Sequence, residues 1–229
     1  MSSDHIDVGA SMHWGTPEQI LKPVRKFFHG TIDLDPCSGP NSIVKATVEF
    51  MLPKNNGLED SWDVTEDHNT NAFSNPPYGR TYLSDDRLHV YSQKEFSDAK
   101  KLWTALRGLD KGQPDDIFTT VKGLAISPAA AQRFKATTIY DWVEKAIVSY
   151  EKDHVNSISL IPVATDTAHW QELVFQRAQS VCFVKGRLKF RGAVEGPAVM
   201  ANALVYCGDW YRDFEDVFQD VGTVVQLRK

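Results

Sequence analysis

Two consecutive prolines, Pro76 and Pro77, follow the short apolar run Ala72-Phe73 in the stretch SNPPYGR at residues 74–80. Proline has no backbone N–H to donate and its ring fixes φ, so neither residue can lie within a sheet ladder. The strand predicted over this apolar run must therefore end here, and the rigid loop holds its neighbours in one arrangement before any ligand arrives. A Pro-Pro turn that only closes a strand is the alternative interpretation.

The remaining sequence alternates predicted strands with predicted helices. Apolar and β-branched runs bounded by Gly or Pro predict strands at 31–36, 48–52, 72–77, 157–162, 181–186, 187–190 and 203–207. Apolar residues at helical spacing predict helices at 16–28, 139–150 and 166–178. In the first helix, Thr16 is the expected cap, Pro17 lies in the first turn, and Pro23 should kink the helix or mark its true start. This alternation is typical of an α/β fold, with a mostly parallel sheet flanked by helices.

Residues 81–138 interrupt this alternation with a more polar stretch that contains the break LDKGQPDD. Over 79–138, ten Lys and Arg stand against seven Asp and Glu, whereas the whole chain has a net charge of −5. We interpret 81–138 as an insertion after the NPPY loop. It divides a domain formed by 14–80 and 139–229, which follows a polar N-terminal segment at 1–13. Both a solvated surface excursion and a partner-contacting module fit this composition.

The composition excludes several classes of protein. At 229 residues, 42% of them hydrophobic, the chain can bury one domain with a sizeable insertion. Its three cysteines are widely spaced and form no CxxC or Cys/His pattern, which predicts no disulfide and no metal site, and favours a reducing cytoplasm. The N-terminus lacks an export signal and no apolar run is long enough to span a membrane, so no membrane association is expected. The negative net charge disfavours indiscriminate nucleic-acid binding but allows a local basic patch.

Polar residues stand at three predicted strand ends or loops: Asp35-Pro36, Asn56-Gly57 and Asn75. In a doubly wound sheet these segments would meet along one crevice, where a cofactor and a second substrate can be brought together. The first segment is not a GxGxxG loop, since it offers one glycine and an acid where a phosphate needs bare amides. An acid suits a cationic or hydroxyl-bearing ligand, and S-adenosylmethionine carries a sulfonium, an ammonium and ribose hydroxyls.

Seven short motifs follow one another along the chain. They are WGTP (14–17), LDPCS (34–38), NGLEDSW (56–62), NPPYG (75–79), WVEKA (142–146), LIPVATDT (160–167) and GRLKF (186–190). Together and in this order they resemble the phage N-6-adenine DNA methyltransferases of the Dam-type family. The resemblance implies a Rossmann-like class I methyltransferase that uses S-adenosylmethionine, and a phage or prophage protein that acts on double-stranded DNA in the bacterial cytoplasm. Because NPPY also occurs in other methyltransferases, methylation of an RNA base or a protein glutamine, and a non-catalytic nucleic-acid-binding module, remain alternatives.

The resemblance assigns catalysis to Asn75, Pro76, Pro77 and Tyr78. The Asn75 side-chain oxygen and the Pro76 carbonyl would accept both N–H bonds of a flipped adenine and aim the nitrogen lone pair at the methyl group. Tyr78 would stack on the base, and such stacking contributes roughly 1–3 kcal/mol, comparable with the cost of flipping. Transfer would be a direct displacement that depends on positioning, with Cys37 a small strand-end residue and not a nucleophile.

Cofactor and DNA contacts are also implied. The implied cofactor contacts are Trp14, Thr16, Pro17, Asp35, Pro36 and Asn56. Asn56 stands where the family usually has Asp, so Glu59 or Asp60 could substitute, and Trp14 could instead be a core aromatic. The expected DNA contacts are Arg80, Lys185, Arg187, Lys189 and Arg191.

The last four of these cations alternate along a predicted strand pair and would lie on one side of it. They suit phosphate contact, or the solvated face of an edge strand. The insertion, 81–138, would help to recognise the target sequence.

Overall fold

A computed structural model describes residues 15–39, 42–51, 54–78, 81–83, 90–92, 119–121, 124–126, 136–190 and 198–227. The helices are α1 (Glu18–Phe27), α2 (Ile139–Asp153), α3 (π-helical His169–Val174 continued by α-helical Phe175–Arg177) and α4 (Tyr211–Phe218). The strands of the main sheet are β1 (Leu34–Asp35), β2 (Val48–Glu49), β3 (Asn71–Ser74), β9 (Asn156–Pro162), β10 (Ser180–Val184), β11 (Asn202–Cys207) and β12 (Gly222–Gln226). The fold is therefore mixed α/β, as expected. None of these helices is long and apolar enough to cross a bilayer, and the same holds for every described range.

The main sheet has seven strands in the order β12-β10-β11-β9-β3-β1-β2. The pairs β1–β2, β1–β3 and β3–β9 are parallel, whereas β9–β11, β10–β11 and β10–β12 are antiparallel and longer. The expectation of a mostly parallel sheet is therefore wrong for half of the sheet. An apolar strand pattern does not encode strand direction, and only the pairing partner decides it.

Side chains of the central strands alternate between the two faces of the sheet. On one face, Leu160 and Leu204 pack in a cluster with apolar residues of α1 and α4. On the other face, Ile161 and Val205 pack with apolar residues of α2 and α3. The sheet is thus buried on both faces, and ligands can approach it only at its edges or through the loops at the strand ends.

The start of α1 differs from the expectation. Pro17 is the N-cap and Thr16 makes no capping bond, so the predicted Thr16 cap is wrong. The helix starts at Glu18 and continues through Pro23, so Pro23 does not mark its start. By contrast, α2 begins as its sequence indicates, with the Thr138 N–H donating to the Asp141 carboxylate at 2.7 Å.

Residues 187–190 form no strand, contrary to the prediction. Leu188 and Phe190 are nevertheless buried, while Arg187 and Lys189 between them are exposed. Leu188 and Phe190 are each buried in the core, and the cations beside them are exposed to solvent. This alternation therefore requires no pairing with a neighbouring strand. The sequence patterns also missed α4 and β12.

Short strands also occur within the segment interpreted as an insertion. The strand β4 (Thr81–Leu83) pairs antiparallel with β5 (Val90–Ser92) and with β8 (Ala136–Thr137), and β6 (Thr119–Val121) pairs with β7 (Leu124–Ile126). None of these strands joins the main sheet. Thr81 lies opposite Thr137, so the chain leaves the NPPY loop and returns to α2 through hydrogen-bonded neighbours. Most of 81–138 lies outside the described residues, and its boundaries stay a prediction.

Candidate active site

The carboxyl ends of β1 and β3 lie side by side where the strand order reverses. β1 pairs with β2 on one side and with β3 on the other, with Leu34 opposite Ala72. Loops that leave such a pair of strands diverge, and the crevice between them is the usual ligand position in an open α/β sheet. Here the crevice is bordered by Asp35-Pro36 after β1 and by the NPPY loop after β3. The structure brings these two predicted segments together.

Asp35 is a buried acid at the end of β1, only 3% exposed. Its carboxylate accepts the Cys37 N–H and the Ser42 hydroxyl, each at 3.2 Å. Burial raises the pKa of Asp35 from 3.8 to about 6, because these two hydrogen bonds offset only part of the lost hydration. A carboxyl held at such a cost in a crevice is typical of a ligand-binding residue.

A tight turn over Pro36 shapes the first side of the crevice. A Cβ atom on Gly57 would lie 1.9 Å from the Pro36 carbonyl oxygen, so only glycine fits there. The fully buried Trp62 donates its indole N–H to the Gly57 carbonyl at 2.6 Å. Gly57 packs directly against Pro36 and is held there by Trp62, so the motif NGLEDSW fixes the position of the Pro36 backbone.

Asn56 has a structural use in the same turn. Its side-chain oxygen accepts the Leu58 N–H at 3.2 Å, and the Asp60 carboxylate accepts the Asn56 N–H at 2.8 Å. These two bonds close the turn from within. A direct cofactor contact by Asn56, or by Asp60 in its place, stays a prediction.

Cys37 joins the two strand ends. Its thiol accepts the backbone N–H of Asn75, the first residue after β3. Burial, and then the neighbouring Asp35, raise the pKa of this thiol well above its usual value. A thiol that stays protonated is a poor nucleophile. Cys37 therefore fits a structural role between the loops that follow β1 and β3. Asn75 is half-buried and Pro76 is buried at this junction, and Pro77 is half-buried.

The Tyr78 ring is held at both ends. Its hydroxyl accepts the Asn202 side-chain N–H at 3.2 Å and donates a long bond of 3.4 Å to the Leu160 carbonyl. The Phe190 ring meets it edge-to-face, with centroids 5.8 Å apart. Burial raises the pKa of Tyr78 well above its usual value. The NPPY loop is therefore attached to β9, β11 and the GRLKF motif.

Two of these Tyr78 partners, Asn202 and Phe190, were not predicted as site residues. The available signal for Asn202 was a single amide at the start of the apolar run ALVYC. For Phe190 it was an aromatic at the end of a basic motif.

Thr16 and Pro17 lie directly before α1, and both are buried. The Thr16 side chain is only 3% exposed, yet its hydroxyl has no hydrogen-bond partner within the described part of the chain. Because leaving a buried hydroxyl unpaired costs free energy, such a group is often one that meets a ligand. Trp14 lies outside the described residues.

The exposed cations follow β10 at the same edge of the sheet. β10 and β9 point the same way, since both are antiparallel to β11. Lys185, Arg187 and Lys189 are exposed in the segment that leaves β10, and Arg187 donates to the Val199 carbonyl at 2.6 Å. Arg80 and Arg191 lie outside the described residues. The expected alternation of exposed cations is present without the strand pair on which it was predicted.

A family model described as DNA N-6-adenine-methyltransferase (Dam) matches residues 5–207. The chain belongs to this family. The match confirms the resemblance drawn from the seven motifs, and it includes every segment that borders the crevice. No curated protein and no solved structure matches the chain. At the level of the family, the activity of this Dam-family chain is methyl transfer to adenine in DNA.

The described residues contain no group of three or more His, Cys, Asp or Glu side chains that could hold a metal ion.

Proposed function

We propose that this Dam-family chain transfers a methyl group from S-adenosylmethionine to the exocyclic N6 of an adenine flipped out of duplex DNA. Family membership supports the reaction. The proposed cofactor and flipped base are supported by the contact between the Cys37 thiol and the Asn75 N–H. This contact joins the acidic end of β1 to the NPPY loop. One crevice thus borders on an acid suited to a cationic cofactor and an amide suited to an amino group.

We also propose that the fold is the Rossmann-like class I arrangement. Four neighbouring strands, β2-β1-β3-β9, are parallel, and the order reverses between β1 and β3. β10 has the same direction as these four, so five of the seven strands point the same way. The other two strands run in the opposite direction. β11 lies between β9 and β10, and β12 pairs with the outer side of β10, so these three pairs are antiparallel.

The chain's own residues fit S-adenosylmethionine, which when bound supplies the electrophilic methyl group. The Asp35 carboxyl can accept a hydrogen bond from an ammonium or a ribose hydroxyl. Its pKa is raised because burial destabilises the charged form, and a cationic partner would stabilise that form again. A second polar contact would be the Thr16 hydroxyl, which has no hydrogen-bond partner in the part of the chain that the structure describes. Pro17, Pro36 and the predicted Trp14 would border the same ligand with apolar surface.

The NPPY loop would hold the acceptor. An adenine amine is a weak nucleophile because its lone pair is conjugated with the ring. The Asn75 oxygen and the Pro76 carbonyl would accept its two N–H bonds, with Pro77 keeping the loop rigid, so that the lone pair is free to form the new N–C bond. The nitrogen would gain the methyl carbon as the sulfonium S–C bond breaks, and it would release one proton to solvent. Tyr78 would stack on the base and offset much of the flipping cost, at roughly 1–3 kcal/mol.

The duplex would contact the basic surface beside the crevice. Lys185, Arg187 and Lys189, together with Arg80 and Arg191, would neutralise phosphates without reading sequence. The insertion would read the target, because its described ends continue directly from the NPPY loop and into α2. We further propose a phage or prophage origin and a cytoplasmic place of action, where host DNA and the cofactor are both present.

The test is methyl transfer by the purified protein from labelled S-adenosylmethionine. We expect N6-methyladenine in duplex DNA, and methylation-sensitive sequencing of DNA from expressing cells should give the site. Asn75→Ala should lose transfer while retaining cofactor affinity by calorimetry, whereas Asn69→Ala, an exposed amide before β3, should keep full activity. Labelled methyl in RNA or protein, and none in duplex DNA, would contradict the proposal.

The role of the insertion has its own test. An Asn-Gly turn that replaces residues 83–135 should join Tyr82 to Ala136, which lie opposite each other in the β4–β8 pair. The shortened protein should still bind the cofactor but lose its preference for one DNA site. Unchanged site preference would overturn the proposed target-recognition role.

A further inference from the structure

Asn202 reaches the candidate base pocket from β11, which lies two strands away from β3 in the sheet. It is the first residue of β11 and pairs with Pro162, the last residue of β9. Because β9 is parallel to β3, this end of β9 lies at the same edge as the NPPY loop. Asn202 is only 1% exposed, and its amide N–H donates to the Tyr78 hydroxyl at 3.2 Å. A buried amide thus holds the aromatic proposed to stack on the base.

The second polar atom of the Asn202 amide is unpaired. Its side-chain oxygen has no hydrogen-bond partner among the described residues. The amide can be turned by 180°, but in either orientation one polar atom pairs with the Tyr78 hydroxyl and the other does not. Burying an amide in this way lowers stability relative to an apolar side chain of the same shape. Within the described residues, the contacts of this amide therefore do not explain its presence by folding stability.

Two other contacts in the described part of the chain restrict the Tyr78 ring. The bond to the Leu160 carbonyl is long, at 3.4 Å, and so is weak on its own. The Phe190 ring meets Tyr78 at an interplanar angle of 83°, which limits rotation of the Tyr78 ring about its own axis. The Asn202 bond adds the constraint that keeps the hydroxyl end in place.

We propose that Asn202 is a positioning residue that fixes the hydroxyl end of Tyr78, and so the direction of the ring, for stacking on the flipped adenine. The inference rests on the proposed function and names a residue through which the base pocket is preorganised. Misplacing a positioning group costs up to about 100-fold in rate. We therefore expect Asn202→Ala to lower kcat about 10- to 100-fold, with little change in affinity for S-adenosylmethionine.

A double-mutant cycle separates this role from a structural one. If Asn202 acts through the Tyr78 hydroxyl, then Asn202→Ala and Tyr78→Phe should each lower kcat, and the double variant should be no worse than either. With 2-aminopurine at the target position, both variants should show brighter fluorescence of the flipped base, because stacking on the Tyr78 ring quenches it. The free energy of unfolding of Asn202→Ala should fall little.

The chain provides a matched control at the opposite edge of the sheet. There the Tyr206 hydroxyl donates to the Asn156 side-chain oxygen at 3.1 Å, and both residues are buried. Asn156→Ala and Tyr206→Phe should change thermal stability and leave kcat and the 2-aminopurine signal unchanged. The control thus removes the same kind of bond away from the crevice.

Three results would overturn the inference. They are additive losses of kcat in the cycle, a Tyr78→Phe protein with wild-type kcat, and an Asn202→Ala protein that loses only thermal stability. If Asn202→Ala does not fold, Tyr78→Phe alone decides, because it removes the hydroxyl and keeps the ring. A wild-type protein that methylates no adenine would instead refute the proposed function, and this inference with it.

Discussion

Replacing Asp35 with Asn should make the ligand-free protein more stable and its cofactor binding weaker. Burial raises the pKa of the Asp35 carboxyl from 3.8 to about 6 in the folded protein. Because the folded-state pKa lies above the unfolded one, the stability associated with Asp35 is fully present below about pH 4 and is lost as pH rises to about 6. At 1.36 kcal/mol per pKa unit, the penalty at neutral pH is about 3 kcal/mol.

An Asp35→Asn variant avoids this penalty because asparagine carries no charge to desolvate. It keeps one acceptor for the Cys37 N–H and loses the charge-assisted character of the bonds that Asp35 accepts, which offsets about 1 kcal/mol. The net gain of about 2 kcal/mol corresponds to a rise in Tm of roughly 4–8 °C for a domain of this size.

Thermal unfolding of both proteins without ligand tests the argument. The Tm difference should be small at about pH 4.5 and reach its full value at about pH 7.5. Titration calorimetry at neutral pH should show that Asp35→Asn binds S-adenosylmethionine at least about tenfold more weakly, which is 1.4 kcal/mol. Asp33→Asn is the matched control: the Asp33 carboxylate accepts the Asn71 N–H at 2.9 Å, so this change should lower the Tm. A Tm difference for Asp35→Asn that does not vary with pH would refute the reasoning.

Three further predictions follow from the crevice and its basic surface. Gly57→Ala places a Cβ 1.9 Å from the carbonyl oxygen beneath it and should lower both Tm and cofactor affinity, whereas Gly39→Ala, with nothing within 4 Å, should be neutral in thermal unfolding and calorimetry. Thr16→Val keeps the shape of a buried side chain and removes a hydroxyl that has no hydrogen-bond partner within the described residues, so Tm should hold or rise while cofactor affinity falls; unchanged affinity would place the hydroxyl outside the ligand site. Lys185→Gln combined with Lys189→Gln should reduce the slope of log DNA affinity against log salt by about 1.8 and leave site preference unchanged, and a constant slope would exclude phosphate contact.

The positions of most elements could be predicted from residues that end them. Pro36 and Pro76 follow the ends of their strands because proline has no N–H to donate to a ladder, and the structure has both strand ends next to each other. Strand direction could not be predicted, since an apolar run such as ALVYC looks the same in a parallel or an antiparallel pair. The role of β11 in the antiparallel half of the sheet was therefore missed.

The candidate site also contains residues that the local sequence predicts and a residue that it does not. Asp35 and Asn75 were predicted as site residues from motifs, and the structure places both at the crevice. Asn202 could not be predicted, because its hydrogen bond to Tyr78 joins residues that are 124 positions apart in the sequence. The cap expected at Thr16 was wrong for a related reason: the local pattern favours a cap, while the structure buries the hydroxyl elsewhere.

The pairing of β4 with β8 has an evolutionary consequence. Thr81 and Thr137 are direct partners, so the chain leaves the NPPY loop and returns to α2 at neighbouring positions of one strand pair. The pairing holds these two junctions at the distance that separates neighbouring strands. Recombination at these junctions could exchange the whole intervening segment in a single step without moving the NPPY loop or α2. If the segment between the junctions reads the DNA sequence, as proposed, such an exchange would change the methylation site and keep the residues of the crevice.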